Sequence, residues 1–155
     1  MNLGMLAIPM LILGVPAAAQ MAAGDGASQQ APRIAGMFDP APADKGQIIF
    51  WRPGGLGPGC TVREGQASSE IRLSKLTSNR YFVHLAEPGI HHYWAKNLAK
   101  DDINLEIEPG ETYFVKCEIA IGMMASTPNL SPSNASEFES YKDKGKLRPM
   151  DIPAP

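Results

Sequence analysis

Ile103, Leu105 and Ile107 alternate with Asn104, Glu106 and Glu108, and this period of two constrains the chain more tightly than any other feature. Successive side chains of a strand point to opposite faces, so the pattern specifies a strand with one face on a core and one face in water. Glu108-Pro109-Gly110 follows. Pro109 presets φ at the second residue of a turn and Gly110 supplies the positive φ of the third, as a type II turn requires. In the next strand Tyr113, Val115, Cys117, Ile119 and Ile121 share the core side, and Phe114, Lys116, Glu118 and Ala120 share the other.

The same tripeptide recurs at Glu87-Pro88-Gly89, after a run from Arg80 to Leu85 rich in aromatic and β-branched residues. Pro88 and Gly89 predict a chain reversal there. His91-His92-Tyr93-Trp94 then returns antiparallel to the strand it left, with residue 87 opposite 90, His84 opposite Tyr93 and Val83 opposite Trp94. Val83, Leu85 and Trp94 form the expected core face. The repeat of Tyr-Phe-Val at 81–83 and 113–115 is read as two strands obeying one set of rules.

Gln47 to Trp51 is apolar on both faces, which predicts a strand covered on both sides. The loop from Arg52 to Gly59 is rich in Gly and Pro but lacks both the Lys-Ser/Thr of a phosphate loop and Gly-x-Gly-x-x-Gly spacing, so it reads as a connection. Cys60, Val62, Ile71 and Leu73 continue the inward positions. Glu64-Gly65-Gln66 and Thr77-Ser78-Asn79 are turns. After Gly122, Met123-Met124 closes a strand and Ala125 to Asn129 is a loop. A helix is expected to start at Ser131-Pro132 or Ser133, with Ser136 and Glu139 at capping-box spacing. Ala135, Phe138 and Tyr141 give it an apolar stripe that packs on the strands. Gly145 ends it, with Lys142, Lys144 and Lys146 near its negative end.

With 155 residues and no second composition regime, one domain is expected. The strand and turn pattern predicts an all-β antiparallel sandwich of about seven strands, immunoglobulin-like or prealbumin-like, with a short C-terminal α-helix, over residues 44–148. Leu3 to Val15 is an uncharged apolar run of signal-peptide length, broken by Pro16 and followed by Ala17-Ala18-Ala19, which predicts cleavage after Ala19. Met1-Asn2 carries no Lys or Arg, so an uncleaved anchor is the alternative, and only in that case is a membrane contact expected. Residues 20–43 form a flexible leader from which Met37 and Phe38 are able to reach the domain, and residues 149–155 form a Pro-rich tail.

An even cysteine count in an exported domain points to a bridge. Cys60 and Cys117 fall at inward parity on separate strands, so a disulfide between them is expected, with two buried thiols as the alternative. The three histidines lie within nine residues, and in the tight-turn register His84 and His91 share a face at a separation from which two imidazoles can converge on one metal. His92 lies on the opposite face and Glu87 in the turn, so a third ligand is not evident. No metal site or cofactor is expected, with His84 and His91 as the alternative. No Gly-x-Ser-x-Gly elbow is present, and Asp101-Asp102, Glu106 and Glu108 read as a solvated sheet face. Trp51, Trp94, Tyr81 and Tyr113 are first of all core material. A net charge of −2 without a basic patch excludes a nucleic-acid partner.

Ile49-Phe50-Trp51-Arg52-Pro53-Gly54, Tyr81-Phe82-Val83, Pro88-Gly89-Ile90-His91 and Gly110-Glu111-Thr112-Tyr113-Phe114-Val115 together resemble the bacterial family known as domain of unknown function 2846. The resemblance covers about residues 45 to 148. It implies a small exported β domain of the bacterial envelope, some members being lipoproteins, and supplies no activity. No cysteine follows the apolar run here, so this chain is not expected to be a lipoprotein. The resulting expectation is a non-enzymatic periplasmic or secreted binding or accessory module whose partner is an unknown protein or envelope component. The alternative is a periplasmic metal-binding protein using the histidine hairpin.

Overall fold

The computed structural model describes residues 38–66, 68–97, 99–122 and 126–150. The expected signal segment, the greater part of the leader, Met37, Met123-Met124 and most of the tail lie outside the described residues. Nine strands and one helix follow in the order β1 (Gly46–Arg52), β2 (Cys60–Glu64), β3 (Ile71–Leu76), β4 (Arg80–Ala86), β5 (Gly89–Lys96), β6 (Lys100–Ile107), β7 (Thr112–Ile121), β8 (Ser126–Ser133), α1 (Ala135–Asp143) and β9 (Arg148–Pro149) among the described residues. One sheet has the order β8-β7-β1-β4-β9 and the other β3-β2-β5-β6. This is the expected all-β sandwich with a short C-terminal helix. Most pairings are antiparallel, but β1 runs parallel to β7, and β9 parallel to β4.

β1 explains the layering. It is the central strand of the five-stranded sheet, and its two apolar faces serve two cores. Ile48 and Phe50 point between the sheets, where they meet Val62, Phe82, Tyr93, Val115 and Leu130. Ile49 and Trp51 point the other way, onto Tyr81, Phe114 and the helix residues Ala135 and Phe138. The molecule is therefore three layers deep along β1, and every residue of that strand is buried. Gly46 begins the strand against Ile107 of the facing sheet. A Cβ there would overlap Ile107 Cγ2 and lie 3.1 Å from the Glu108 carbonyl oxygen, so only glycine fits. At the far end Arg52 also points inward and is almost fully buried. Its Nη2 donates to the Leu56 carbonyl at 3.1 Å, which folds the glycine-rich loop back over the sandwich end, and burial pushes its ionisation downward.

The turn at Glu87-Pro88-Gly89 corrects the expected hairpin. β4 and β5 do not pair: β4 lies against β1 over seven residue pairs, from Gly46 opposite Ala86 to Arg52 opposite Arg80, whereas β5 lies between β2 and β6 in the other sheet. Gly89, at φ 135°, lets the chain pass from one sheet to the other without reversing within either. Glu108-Pro109-Gly110 makes the reverse crossing, from β6 to β7. Gly110 has φ 78°, and Glu111 N–H donates to the Glu108 carbonyl across that turn. Both tripeptides are sheet-to-sheet corners. The hairpins are instead β2–β3, β5–β6 and β7–β8.

The crossing also inverts the expected core face of β4. Phe82, His84 and Ala86 point between the sheets, Val83 packs on the helix side, and Leu85 is 46% exposed. On β5 the inward residues are His91, Tyr93 and Ala95. Trp94 lies on the outer face, covered by the Arg63 guanidinium at 5.0 Å and the Lys100 ammonium at 5.3 Å from its ring. Residues 126–129, expected in a loop, begin a full strand. β8 tolerates Pro128 and Pro132 because it is an edge, and both share parity with Leu130, whose N–H points away from β7. That N–H donates to the Asp101 carboxylate at 2.6 Å, so Asp101 ties the β6 and β8 edges together and is more than a solvated surface acid.

The helix starts later than expected. Asn134 is its cap, and the Asn134 side chain accepts the Glu137 N–H at 2.9 Å, so the Ser136–Glu139 spacing is not used as a capping box. Gly145, at φ 66°, follows its end as expected. Lys116 on β7 pairs with Glu137 at 2.8 Å and fastens the helix to the sheet, and that contact raises the lysine and lowers the glutamate ionisation. Phe38 comes down on the same face, edge-on to Tyr81 with ring centroids 5.5 Å apart.

Candidate functional site

Cys60 opens β2 and Cys117 lies in the middle of β7, both fully buried and in opposite sheets. They form the expected disulfide, with Cα atoms 6.5 Å apart. The even cysteine count and the inward parity on separate strands pointed to it, and the structure adds that the two strands belong to facing sheets and meet across the core.

Glu64 ends β2, four residues from that bridge, on the same inward side. In the register of β2 with β5 it stands opposite Tyr93, and His91 is the next inward residue toward the crossover. His84 approaches the same point from β4 in the facing sheet. The two imidazoles converge on one carboxylate: His84 Nε2 lies 3.1 Å from Glu64 Oε2 and His91 Nδ1 lies 2.5 Å from Glu64 Oε1. His91 Nε2 donates to the Glu87 carbonyl at 2.7 Å, which anchors the ring to the corner. Each of the three side chains retains about one-fifth of its surface in contact with solvent.

Tyr93 forms the floor. It is fully buried, stacked on His91 with centroids 6.0 Å apart and edge-on to His84 at the same distance. Its hydroxyl lies beside Glu64 without a hydrogen bond of good geometry. Burial, reinforced by the neighbouring carboxylate, pushes its ionisation far above the ordinary phenol range. Burial likewise holds His84 below its usual value, outweighing the pull of Glu64 in the other direction. An unpaired buried hydroxyl costs about 1–3 kcal/mol. Tyr93→Phe is therefore expected to leave stability unchanged or raise it by about 1 kcal/mol in urea unfolding, and a clear loss would show that the hydroxyl is bonded in solution.

His84 and His91 are thus brought together as the sequence suggested, although from different sheets and not within one hairpin. His92 faces outward, its Nε2 2.7 Å from Asp102 and its Nδ1 3.2 Å from the Gly65 carbonyl oxygen. Glu64 is the residue that sequence reasoning missed. The local sequence makes it a turn residue beside Gly65, and the one signal that points to it is its inward parity with Cys60 and Val62. Trp51 and Tyr81 are core residues as expected, and Tyr113 uses its hydroxyl to accept the Glu108 N–H at 2.9 Å across the second corner.

Fold and site together define a disulfide-pinned β-sandwich that carries, at one end of its core, a glutamate shared by two histidines. No family model, curated protein or solved structure matches the chain.

Proposed function

We propose that this protein is an exported, non-enzymatic binding or accessory module of a bacterial envelope, acting in the periplasm or outside the cell. The observation that carries the reading is the Cys60–Cys117 bridge, because structural disulfides persist in oxidising compartments and are rare in the cytosol. The apolar run from Leu3 to Val15 supports it, and kinship with domain of unknown function 2846 is part of the proposal. Both cysteines are consumed in the bridge, which leaves no thiol nucleophile. Among the described residues β9 pairs with β4 only at Arg80 and Tyr81, so the rest of that edge, with exposed Leu85, is the surface offered to a protein or envelope partner.

The test is the intact mass of the protein recovered from the envelope fraction of its own host. A chain beginning at Gln20 and two hydrogens lighter than its reduced form is expected. A cytosolic protein with both thiols free would overturn the reading. A second reading, a metal-binding protein using His84 and His91, has their shared approach to Glu64 in its favour, but among the described residues no group of three His, Cys, Asp or Glu could hold a metal ion.

A further inference from the structure

The outer face of the four-stranded sheet breaks the rule by which strands ordinarily pair. Residues directly opposite one another on antiparallel neighbours favour opposite charges, and like charges there are destabilising. Here Arg63 on β2 stands opposite Arg72 on β3, and Lys96 on β5 stands opposite Lys100 on β6. Arg72, Arg63, Trp94 and Asp102 form one row across β3, β2, β5 and β6. Lys75 opposite Thr61, and Lys96 opposite Lys100, extend the face toward its Cys60 end. Arg72, Lys75, Lys96 and Lys100 are exposed, and among the described residues none of them is in an ion pair. Of the acids on this face, Glu70 lies 3.5 Å from Arg63 Nε, Asp102 lies 2.7 Å from His92 Nε2, and Glu106 stands at the far end opposite Ile90. The cations are scattered along the chain from Arg63 to Lys100 in a protein of net charge −2, so only strand register brings them together.

We propose that this face docks on the surface of an anionic phospholipid bilayer. Charge complementarity sets the sign of the partner, and the layout of the cations sets its kind. Neighbouring strands about 4.8 Å apart spread them over a width of roughly 15 Å, in two rows roughly 7 Å apart along the strands. The ring at the centre, Trp94, is 9% exposed and covered by the Arg63 guanidinium and the Lys100 ammonium, so it is closed to the stacking by which single-stranded nucleic acids are gripped. A spread of long, rotatable cations without a stacking platform suits anions free to move within a plane, as lipid headgroups are, better than a linear polyanion of fixed charge spacing. The proposal names an envelope component for a surface separate from the β4 edge, and it rests on the envelope reading for the place where the two meet.

Each basic residue held at an anionic membrane surface strengthens binding by about 5-fold. The attraction decays within a Debye length, about 8 Å at physiological salt and about 3 Å at about 1 M. A patch of this size therefore attaches the protein reversibly at low salt and releases it at high salt, with no insertion of the fold. Docked in this way, the five-stranded sheet with α1 on its outer side and the open β4 edge faces away from the bilayer, where a protein partner can reach it.

The protein as isolated from its host, with the bridge intact, is mixed with vesicles of phosphatidylcholine and phosphatidylglycerol and sedimented, with vesicles of phosphatidylcholine alone as the reference. Sedimentation with the anionic vesicles only, and release in about 1 M salt, are expected. Trp51 is fully buried, so an accompanying change in indole emission reports Trp94. Combining Lys75→Gln, Lys96→Gln and Lys100→Gln is expected to weaken binding about 100-fold. Combining Lys142→Gln, Lys144→Gln and Lys146→Gln, which changes net charge equally, is expected to leave it as in the parent. Absence of binding to anionic vesicles at low salt overturns the proposal, and so do equal losses in the two triple variants, which would assign the effect to net charge alone. Retention on heparin or DNA without binding to vesicles overturns it in favour of a linear polyanion. Circular dichroism confirms the fold of each variant, and if the first triple variant does not fold, Arg72→Gln with Lys75→Gln on the edge strand, expected to weaken binding about 25-fold, decides. Vesicle binding is read on purified protein, so its failure leaves the export reading intact, whereas a cytosolic protein with free thiols would overturn that reading without altering the vesicle result.

Discussion

Phe138→Ala is expected to lower unfolding stability by about 3–5 kcal/mol and to release the helix from the sandwich. Phe138 is fully buried, and its ring lies 5.3 Å from Tyr81, 5.6 Å from Phe114 and 5.8 Å from Trp51, all measured between centroids. Removing it leaves a void in the centre of the second core, where neither the sheet nor a helix pinned by the Lys116–Glu137 pair can easily collapse. α1 has nine residues, fewer than the roughly 12–15 an isolated helix needs to persist in water, so its order depends on this docking. Urea unfolding gives the loss in stability. Hydrogen exchange should show the α1 amides losing protection first while the β1–β4 ladder keeps it. A loss below about 1 kcal/mol, with the helix still protected, would mean that the outer layer is not held through this ring.

The second large effect belongs to the bridge. Cys60 and Cys117 are 57 residues apart, and in the chain-entropy model closing a loop of that length stabilises by about 4 kcal/mol. Cys60→Ala with Cys117→Ala should lose about that much, together with a smaller term for the sulfur volume removed from the core. Reduction of the parent should approach the same value, but slowly, because both sulfurs belong to fully buried residues and a reductant must wait for the sandwich to open. The measurement is a pair of urea curves, oxidised and reduced, compared with the double alanine variant. Coincident curves would show that the hydrophobic faces alone hold the two sheets in register.

The limits of what the residues reveal are instructive at the two corners. Locally, Glu87-Pro88-Gly89 and Glu108-Pro109-Gly110 carry the same instruction, a change of direction. Whether the strands on either side then pair or separate into opposite sheets depends on which neighbours compete for their edges. β4 finds a better partner in β1, with seven consecutive residue pairs, and that leaves β5 to β2 and β6. The parity of β4 was misread for a related reason. Tyr81, Phe82, Val83 and Leu85 put apolar groups on both sides of the strand, so alternation cannot say which side is the interior until the helix is known to cover one of them. β8 was hidden by its composition, since Ser126-Thr127-Pro128-Asn129 reads as loop unless the strand is known to be an edge whose outward N–H groups can be given up.

Local periodicity and parity are enough to specify an all-β sandwich with a short helix: the alternation in β6, the doubly apolar β1, the stripe of Ala135, Phe138 and Tyr141, and two inward cysteines are all legible from neighbouring residues. The expected nearness of His84 and His91 rested on a β4–β5 hairpin that does not form, so the local pattern reached it through the wrong register. That the two histidines meet across two sheets, that Glu64 lies between them and that Tyr93 closes the site from below follow from how the strands pack. The difference is one of range. Periodicity records which side of a strand faces the core, a property of a few neighbouring residues. A shared carboxylate 20 residues from one histidine and 27 from the other is set by which strands pack face to face, and no local pattern carries that information.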